Sequence, residues 1–164
     1  MIAKTAPAAA PIIELRQATP ADQPFLHQLY ASTRPPSRLR ACDAEAEALL
    51  VHVQFLARQT DWGRRFPGAD VTIIVEHDRP VGCLYVHYTE HEVRLVDLSL
   101  LPEFRRRGIG KGLLRGLQAH GERLGLPVRL HVTLGNPCQR LCQRCDFLFM
   151  GIVGGHAALE WKPA

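Results

Sequence analysis

Asp97-Leu98-Ser99-Leu100-Leu101-Pro102-Glu103-Phe104-Arg105-Arg106-Arg107-Gly108-Ile109-Gly110-Lys111-Gly112-Leu113-Leu114 is the stretch whose reading decides the fold. An apolar strand leads up to Leu101 and breaks at Pro102, which has no N–H to give a ladder. Three arginines, Arg105 to Arg107, and three alternating glycines, Gly108, Gly110 and Gly112, come next. From there the apolar residues recur as Ile109, Leu113, Leu114 and Leu117, one face of a helix. No Ser, Thr, Asp or Asn stands at the N-cap position, so the first N–H groups have no obvious side-chain acceptor. Glycines let a ligand approach that backbone closely, and the helix dipole favours an anion. The stretch is built to cradle a phosphate.

Two common phosphate sites are excluded by spacing. A P-loop needs Gly, four residues, then Gly-Lys-Ser/Thr; here Gly110-Lys111 is followed by Gly112, and the earlier glycine is Arg105. A dinucleotide fingerprint needs its first glycine directly after the strand and an acid about twenty residues on. Here Pro102 to Arg107 intervene, and the later strand Val128-Arg129-Leu130-His131 carries no acid. What remains, Arg105-x-x-Gly108-x-Gly110, resembles the acyl-CoA signature Gln/Arg-x-x-Gly-x-Gly/Ala of the GNAT acetyltransferase superfamily. The strand before it, the helix after it and the helix start at Asn136-Pro137 strengthen the match.

The chain's 164 residues suit one domain with a core large enough to need no staples. A hydrophobic content of 46% fits a soluble globular chain, and no apolar run reaches membrane-span length. Residues 1–11 are Ala/Pro-rich and read as a loose tail, leaving 12–164 as a single domain. Five cysteines, an odd number, point to reduced thiols and a cytoplasmic setting. The net charge of +4 raises the question of nucleic acid, but only Arg105 to Arg107 cluster, and no aromatic residues interleave with them. Neither nucleic acid nor membrane is expected as a partner.

Along the chain, Ile12 to Ala18 reads as a strand, and Thr19-Pro20 as the N-cap and first residue of a helix carrying Phe25, Leu26, Leu29 and Tyr30. Arg34-Pro35-Pro36-Ser37-Arg38 reads as a loop. A second helix is expected over Ala44 to Thr60, with Leu49, Leu50, Val53 and Leu56 on its apolar face. Strands Val71 to Glu76, Val81 to Tyr88 and Val93 to Leu100 follow, joined by short turns. The glycine-loop helix ends near Gly125, before Pro127, and Val128 to Leu134 is a fifth strand. Asn136-Pro137 starts another helix. Phe147 to Val153 and His156 to Trp161 pair across Gly154-Gly155.

This order resembles the GNAT order over nearly the whole chain from Ile12, and the specific part of the likeness runs from Leu95 to Phe147. The resemblance implies an α/β (α+β) fold with a mixed central sheet of about seven strands, one splayed strand pair and about four helices. It implies an N-acetyltransferase using acetyl-CoA as cosubstrate, with no metal, and an acceptor amine on a small molecule or a protein. Leu98, Ser99 and Leu100 would hold the pantetheine and acetyl group through their backbone. Arg105, Arg106, Arg107, Gly108, Ile109, Gly110, Lys111 and Gly112 would surround the pyrophosphate, and Asn136 would also bind the cofactor. For Leu98 and Leu100 a place in the core is equally compatible, and for the arginines so is plain surface charge.

For the base, His131 sits where some family members carry a glutamate, and its ordinary pKa of ~6.5 suits proton transfer. Asp97, on the same strand face as Ser99, ranks second, and His87 and Tyr88 below it. The departure from the family pattern is Cys142, which stands where many members place a tyrosine acting as acid for the leaving thiolate. Cys138, Cys142 and Cys145 share a helix face, but structural zinc takes four ligands and no second cluster is visible. The missing tyrosine keeps open a second class of function, a non-catalytic acyl-CoA-binding sensor or scaffold. The acceptor is expected between the first two helices and the last hairpin, near Arg34, Gln54, Phe55, Arg58 and Trp62. The sequence leaves a homodimer open.

Overall fold

The computed structural model describes residues 12–34 and 44–164; the N-terminal tail and the Pro35 to Arg38 part of the expected loop lie outside these. Strand β1 (Glu14–Gln17) leads through a 3-10 turn (Pro20–Asp22) into helix α1 (Gln23–Ser32), and helix α2 (Ala44–Arg65) precedes the strands β2 (Asp70–Glu76), β3 (Arg79–Tyr88) and β4 (Val93–Leu100). A 3-10 turn (Pro102–Phe104) and the glycine loop lead into α3 (Ile109–Leu124), followed by β5 (Val128–Thr133), α4 (Cys138–Gln143), β6 (Leu148–Val153) and β7 (His156–Trp161).

The seven strands form one mixed sheet in the order β1-β2-β3-β4-β5-β7-β6, with β4 and β5 parallel and the other neighbours antiparallel. The expected splay is present. β4 and β5 pair only over Val93 to Leu95 against Val128 to Leu130, and then part. Helices cover both faces. Gly121 of α3 packs on Val128, and the start of α3 approaches Leu98. Val93, Val128 and Leu114 are almost completely buried between that helix and the sheet. Residues of α1 and α2 lie over Cys83, Tyr85, Asp97 and Ser99 instead. Since neighbouring strand residues point to opposite faces, the two sets of helices flank the sheet.

Local chemistry fixes the entry to α1. The Asp22 carboxylate accepts the Thr19 N–H at 2.8 Å and both arms of the Arg16 guanidinium at 2.7 and 2.8 Å. That fork, with the Thr19 N–H, holds Asp22 well below the usual carboxylate range.

The inner face of α2 is a correction. Leu49, Leu50, Val53 and Leu56 do share a face of a helix, but all are at least 41% exposed. The face turned inward carries Phe55, Arg58, Gln59 and Trp62. An apolar stripe is normally the buried one; here polar side chains take the inner place because a cavity lies beneath them. The helix also runs on to Arg65, ending before Pro67.

Gly82 of β3 marks a tight point behind β4. A Cβ there would meet the Ser99 carbonyl oxygen at 2.4 Å and Leu100 Cδ2 at 2.6 Å. A backbone oxygen held in a ladder cannot step aside, so Gly82→Ala is expected to destabilise the fold by ~1–3 kcal/mol. Denaturant unfolding checks this; an unchanged midpoint would show that β3 and β4 can separate freely.

Candidate functional site

The site begins with an irregularity in β4. Tyr85 pairs with Asp97, but the next residue, Val86, pairs with Leu95, so Val96 is an extra residue, a β-bulge. Without it Leu95 and Asp97 would share a face. With it, Leu95 and Leu98 face α3 while Asp97 and Ser99 face α1 and α2. The Leu101 N–H bonds to the Val81 carbonyl at 2.9 Å, so by ladder alternation Ser99 also turns its backbone groups to β3. Leu98 and Leu100 then turn theirs the other way, into the gap left by β5. The Leu100 carbonyl takes one bond there, from Arg105 Nε at 2.8 Å.

The glycine loop lies at the end of this gap. Gly108 adopts φ +86° at the N-cap, a left-handed conformation that a side chain would strain, and no side chain caps the helix. The Gly112 N–H already bonds to the Gly108 carbonyl at 3.0 Å, so the helix start offers the N–H groups of Ile109, Gly110 and Lys111. The three arginines divide their work. Arg105 is bonded to Leu100 as above. Arg107 forks onto Glu76 of β2 at 2.9 and 3.0 Å and stacks over Phe104. Glu76 is only 6% exposed, so this pair fastens the loop to the sheet. Arg106, at φ +60°, is exposed, as are Lys111 and Gly112. The Asn136 side-chain oxygen accepts the Cys138 N–H at 2.8 Å and so starts α4.

On the other face of β4 lies a cavity of about 390 Å³. Asp97 and Ser99 form its floor, and Phe55, Arg58, Trp62 and Tyr85 form a wall. Ser99 Oγ donates to Asp97 Oδ2 at 2.7 Å. Burial pushes the Asp97 carboxyl up, against the opposing pull of the Ser99 hydroxyl, the Arg58 charge and the Leu98 amide. Of the residues expected near the acceptor, Phe55, Arg58 and Trp62 line this cavity; Gln54 does not, Arg34 instead bonds to the Tyr30 hydroxyl, and the last hairpin contributes nothing to the lining.

His131 is not part of this cavity. It lies on β5 in a separate hollow with Arg129 and Met150, and Arg94 Nη1 donates toward its Nε2 at 3.4 Å. Burial, and then the Arg94 charge, push its pKa down. Cys142 is 1% exposed and belongs to the core. It lies one helical turn from Cys138, whose thiol is half-buried and near enough to Asp97 to feel its charge. The two thiols interact, which lowers Cys138 and raises Cys142, burial adding to the rise. Among the described residues no group of three or more His, Cys, Asp or Glu side chains could hold a metal ion, and no helix is long and apolar enough to cross a membrane.

The sequence reading missed Tyr85 and Glu76 and weighed Cys138 only as a metal ligand. Tyr85 is directly opposite Asp97 in the ladder, a relation visible only once the register is known. The signal for Glu76 was an acid ending a strand that is otherwise apolar from Ile73. For Cys138 the signal was its spacing, one helical turn before Cys142.

Known proteins share this architecture. The model of the acetyltransferase (GNAT) family matches residues 25–147. Among solved structures, the PaiA N-acetyltransferase of Thermoplasma acidophilum, crystallised with coenzyme A, superposes with a TM-score of 0.66 at 17% identity, covering 92% of this chain and 99% of its own. An acetyltransferase from Thermus thermophilus gives 0.66 at 18% identity, covering 93% and 98%. A spermidine N-acetyltransferase chimera from Vibrio cholerae SpeG and hSSAT gives 0.61 at 16%, covering 90% and 92%. No curated protein matches. At these identities the structures speak for the fold, and the family match spans most of the chain: it belongs to the GNAT acetyltransferase family.

Proposed function

We propose that the protein is an acetyl-CoA-dependent N-acetyltransferase that passes the acetyl group to a primary amine by direct attack in a ternary complex. The observation that carries this is a juxtaposition. The open backbone edge of β4 lies between an uncapped helix start and a cavity floored by a carboxylate. Pyrophosphate on the N–H groups of Ile109 to Lys111 would be met by the helix dipole and by the Arg106 and Lys111 charges. The pantetheine would run along the gap, bonding the turned-out backbone groups of Leu98 and Leu100, and bring the thioester to the bulge.

The chemistry follows from what lines the two sides. The amine nitrogen attacks the thioester carbonyl from the cavity; a C–N bond forms, the C–S bond breaks, and the carbonyl oxygen's transient charge is met by backbone N–H. Asp97, directly or through a water, takes the proton from the amine. Its raised pKa makes it a better acceptor than an exposed aspartate. Cys138 supplies the proton for the departing thiolate, with Cys142 beside it. The acid role thus moves by one helical turn from the position that the family pattern indicates, and Asp97 replaces His131 as the leading base. A cofactor-binding module without turnover would bind CoA and release no thiol with any amine.

Binding, stability and turnover of single variants test this. Arg106→Glu and Lys111→Glu should each weaken CoA binding in calorimetry by ~10-fold or more, since each reverses a charge beside the anion site. Arg107→Gln should instead lower stability by ~1–3 kcal/mol, by leaving the buried Glu76 carboxylate short of its partner. Unchanged CoA affinity in both charge reversals would remove the cofactor assignment.

Asp97→Asn should lower kcat by ~10²-fold while leaving CoA binding intact. Asp97 works as a base only when ionised, and its pKa is raised. In the parent enzyme kcat/KM should therefore climb with pH through an apparent pKa above the ordinary value of ~3.9, and the asparagine variant should lose that limb. Full activity in Asp97→Asn would return the base role to another residue.

Cys138→Ala should lower kcat by less than ~10²-fold, with CoA affinity unchanged, because a thiolate leaves tolerably unaided. Cys142→Ala should cost ~1–3 kcal/mol of stability through its cavity and raise the Cys138 pKa, read by the pH dependence of thiol alkylation. An alanine at 138 with full kcat would end the acid role.

A further inference from the structure

We propose, on the reading that this cavity receives the acceptor, that the acceptor amine also carries a carboxylate, and that Arg58 is the residue that selects it. Arg58 is placed unlike any ordinary surface arginine. Its guanidinium stacks over the Tyr30 ring at 4.3 Å and over the Trp62 ring at 4.4 Å. Both rings are themselves braced: Trp62 packs edge-on against Tyr85 at 5.1 Å, and Tyr30 against Phe55 at 5.7 Å. Stacking holds a guanidinium by its faces and leaves the N–H donors in its plane free.

Those donors have no acceptor among the described residues. No hydrogen bond or ion pair engages Arg58, and its Nε is buried without a partner. Other arginines near the glycine loop and on the sheet behave differently: Arg105 has a carbonyl, and Arg16, Arg94, Arg107 and Arg129 have carboxylates. A buried polar atom without a partner is rare in a folded chain and calls for an acceptor from elsewhere. Here the atom belongs to the wall of the cavity in which the acceptor would sit.

The charges in the cavity narrow the class. Among its lining residues only Arg58 is cationic and only Asp97 is anionic; the remainder are apolar, aromatic or uncharged polar side chains. A polyamine would bring several cations to a wall that already holds one, and like charges facing each other select against a ligand. A molecule with an amine at one end and a carboxylate at the other complements both groups, and a planar carboxylate matches the guanidinium fork. A volume of about 390 Å³ with aromatic walls suits an amino acid with its side chain.

The test uses paired acceptors that differ only in the carboxylate. Phenylalanine is set against phenethylamine, leucine against isoamylamine, and γ-aminobutyrate against propylamine, with thiol release from acetyl-CoA as the readout. In at least one pair the carboxylate-bearing member should have kcat/KM ten-fold or more above its partner, mainly through KM. In Arg58→Gln, and more so in Arg58→Glu, that ratio should fall to one or invert, while calorimetry shows CoA binding as in the parent and so reports a folded domain. Equal or better turnover of the decarboxylated amines by the parent would overturn the proposal. So would an unchanged ratio in Arg58→Gln with only a displaced pH profile, which would make Arg58 a counter-charge for Asp97. Failure of every acceptor overturns it as well. If CoA still binds then, only the acceptor class is wrong; if CoA does not bind, the acetyl-transfer reading falls with it.

Discussion

β4 leaves its neighbour after three residue pairs, and this forces the arrangement of the rest of the site. Backbone N–H and C=O groups away from bulk water must find partners, and β5 no longer offers any to Leu98 and Leu100. One carbonyl is met by Arg105, a side chain that reaches back from the glycine loop. The remaining groups form an edge that is chemically equivalent to a strand waiting for an amide-bearing ligand. Pantetheine, with its two amides, is a molecule of that kind. The same parting leaves room for α4 to bring Cys138 near enough to Asp97 to feel its charge.

The bulge at Val96 lets one short strand serve two unlike environments. An uninterrupted strand would have to bury Leu95 and Asp97 on one face, which would bring a carboxylate into the apolar layer under α3. Charged groups are excluded from such layers unless paired. The extra residue shifts the alternation, so Leu95, Leu98 and Leu100 stay with the core helix while Asp97 and Ser99 open onto the cavity. Gly82, behind Ser99, keeps β3 close enough to hold this distorted segment in register.

Much of the fold was legible because it rests on periodicity and on turn chemistry, both local properties. Proline after β4, glycine after α3 and the Asn136-Pro137 helix start each marked a boundary near where the structure has it. Which face of α2 turns inward was not legible, since Arg58 and Gln59 point in for a reason that hydrophobic pattern does not encode. The glycine loop was readable from sequence, but the division of labour among its arginines depended on Glu76, 31 residues upstream of Arg107. His131 and Asp97 are both on strands that neighbour the opening, and only the bulge decides that Asp97 reaches the cavity. A bulge leaves no composition signal. The interaction between Cys138 and Cys142 is local, yet burial determines which sulfur faces out.

On the proposed function, the clamp between Arg107 and Glu76 bears on the thermodynamics of cofactor capture. A glycine-rich loop left to itself samples many conformations, and a ligand that orders it forfeits part of its binding energy to that ordering. Here the loop is tied at Arg107 to β2 and at Arg105 to β4, on either side of Arg106 with its φ of +60°. The loop is therefore shaped by the folding of the sheet and, on the proposed function, would be ready before any cofactor arrives. The conformational entropy of the loop is lost once, at folding, and is not charged again at each encounter with the ligand.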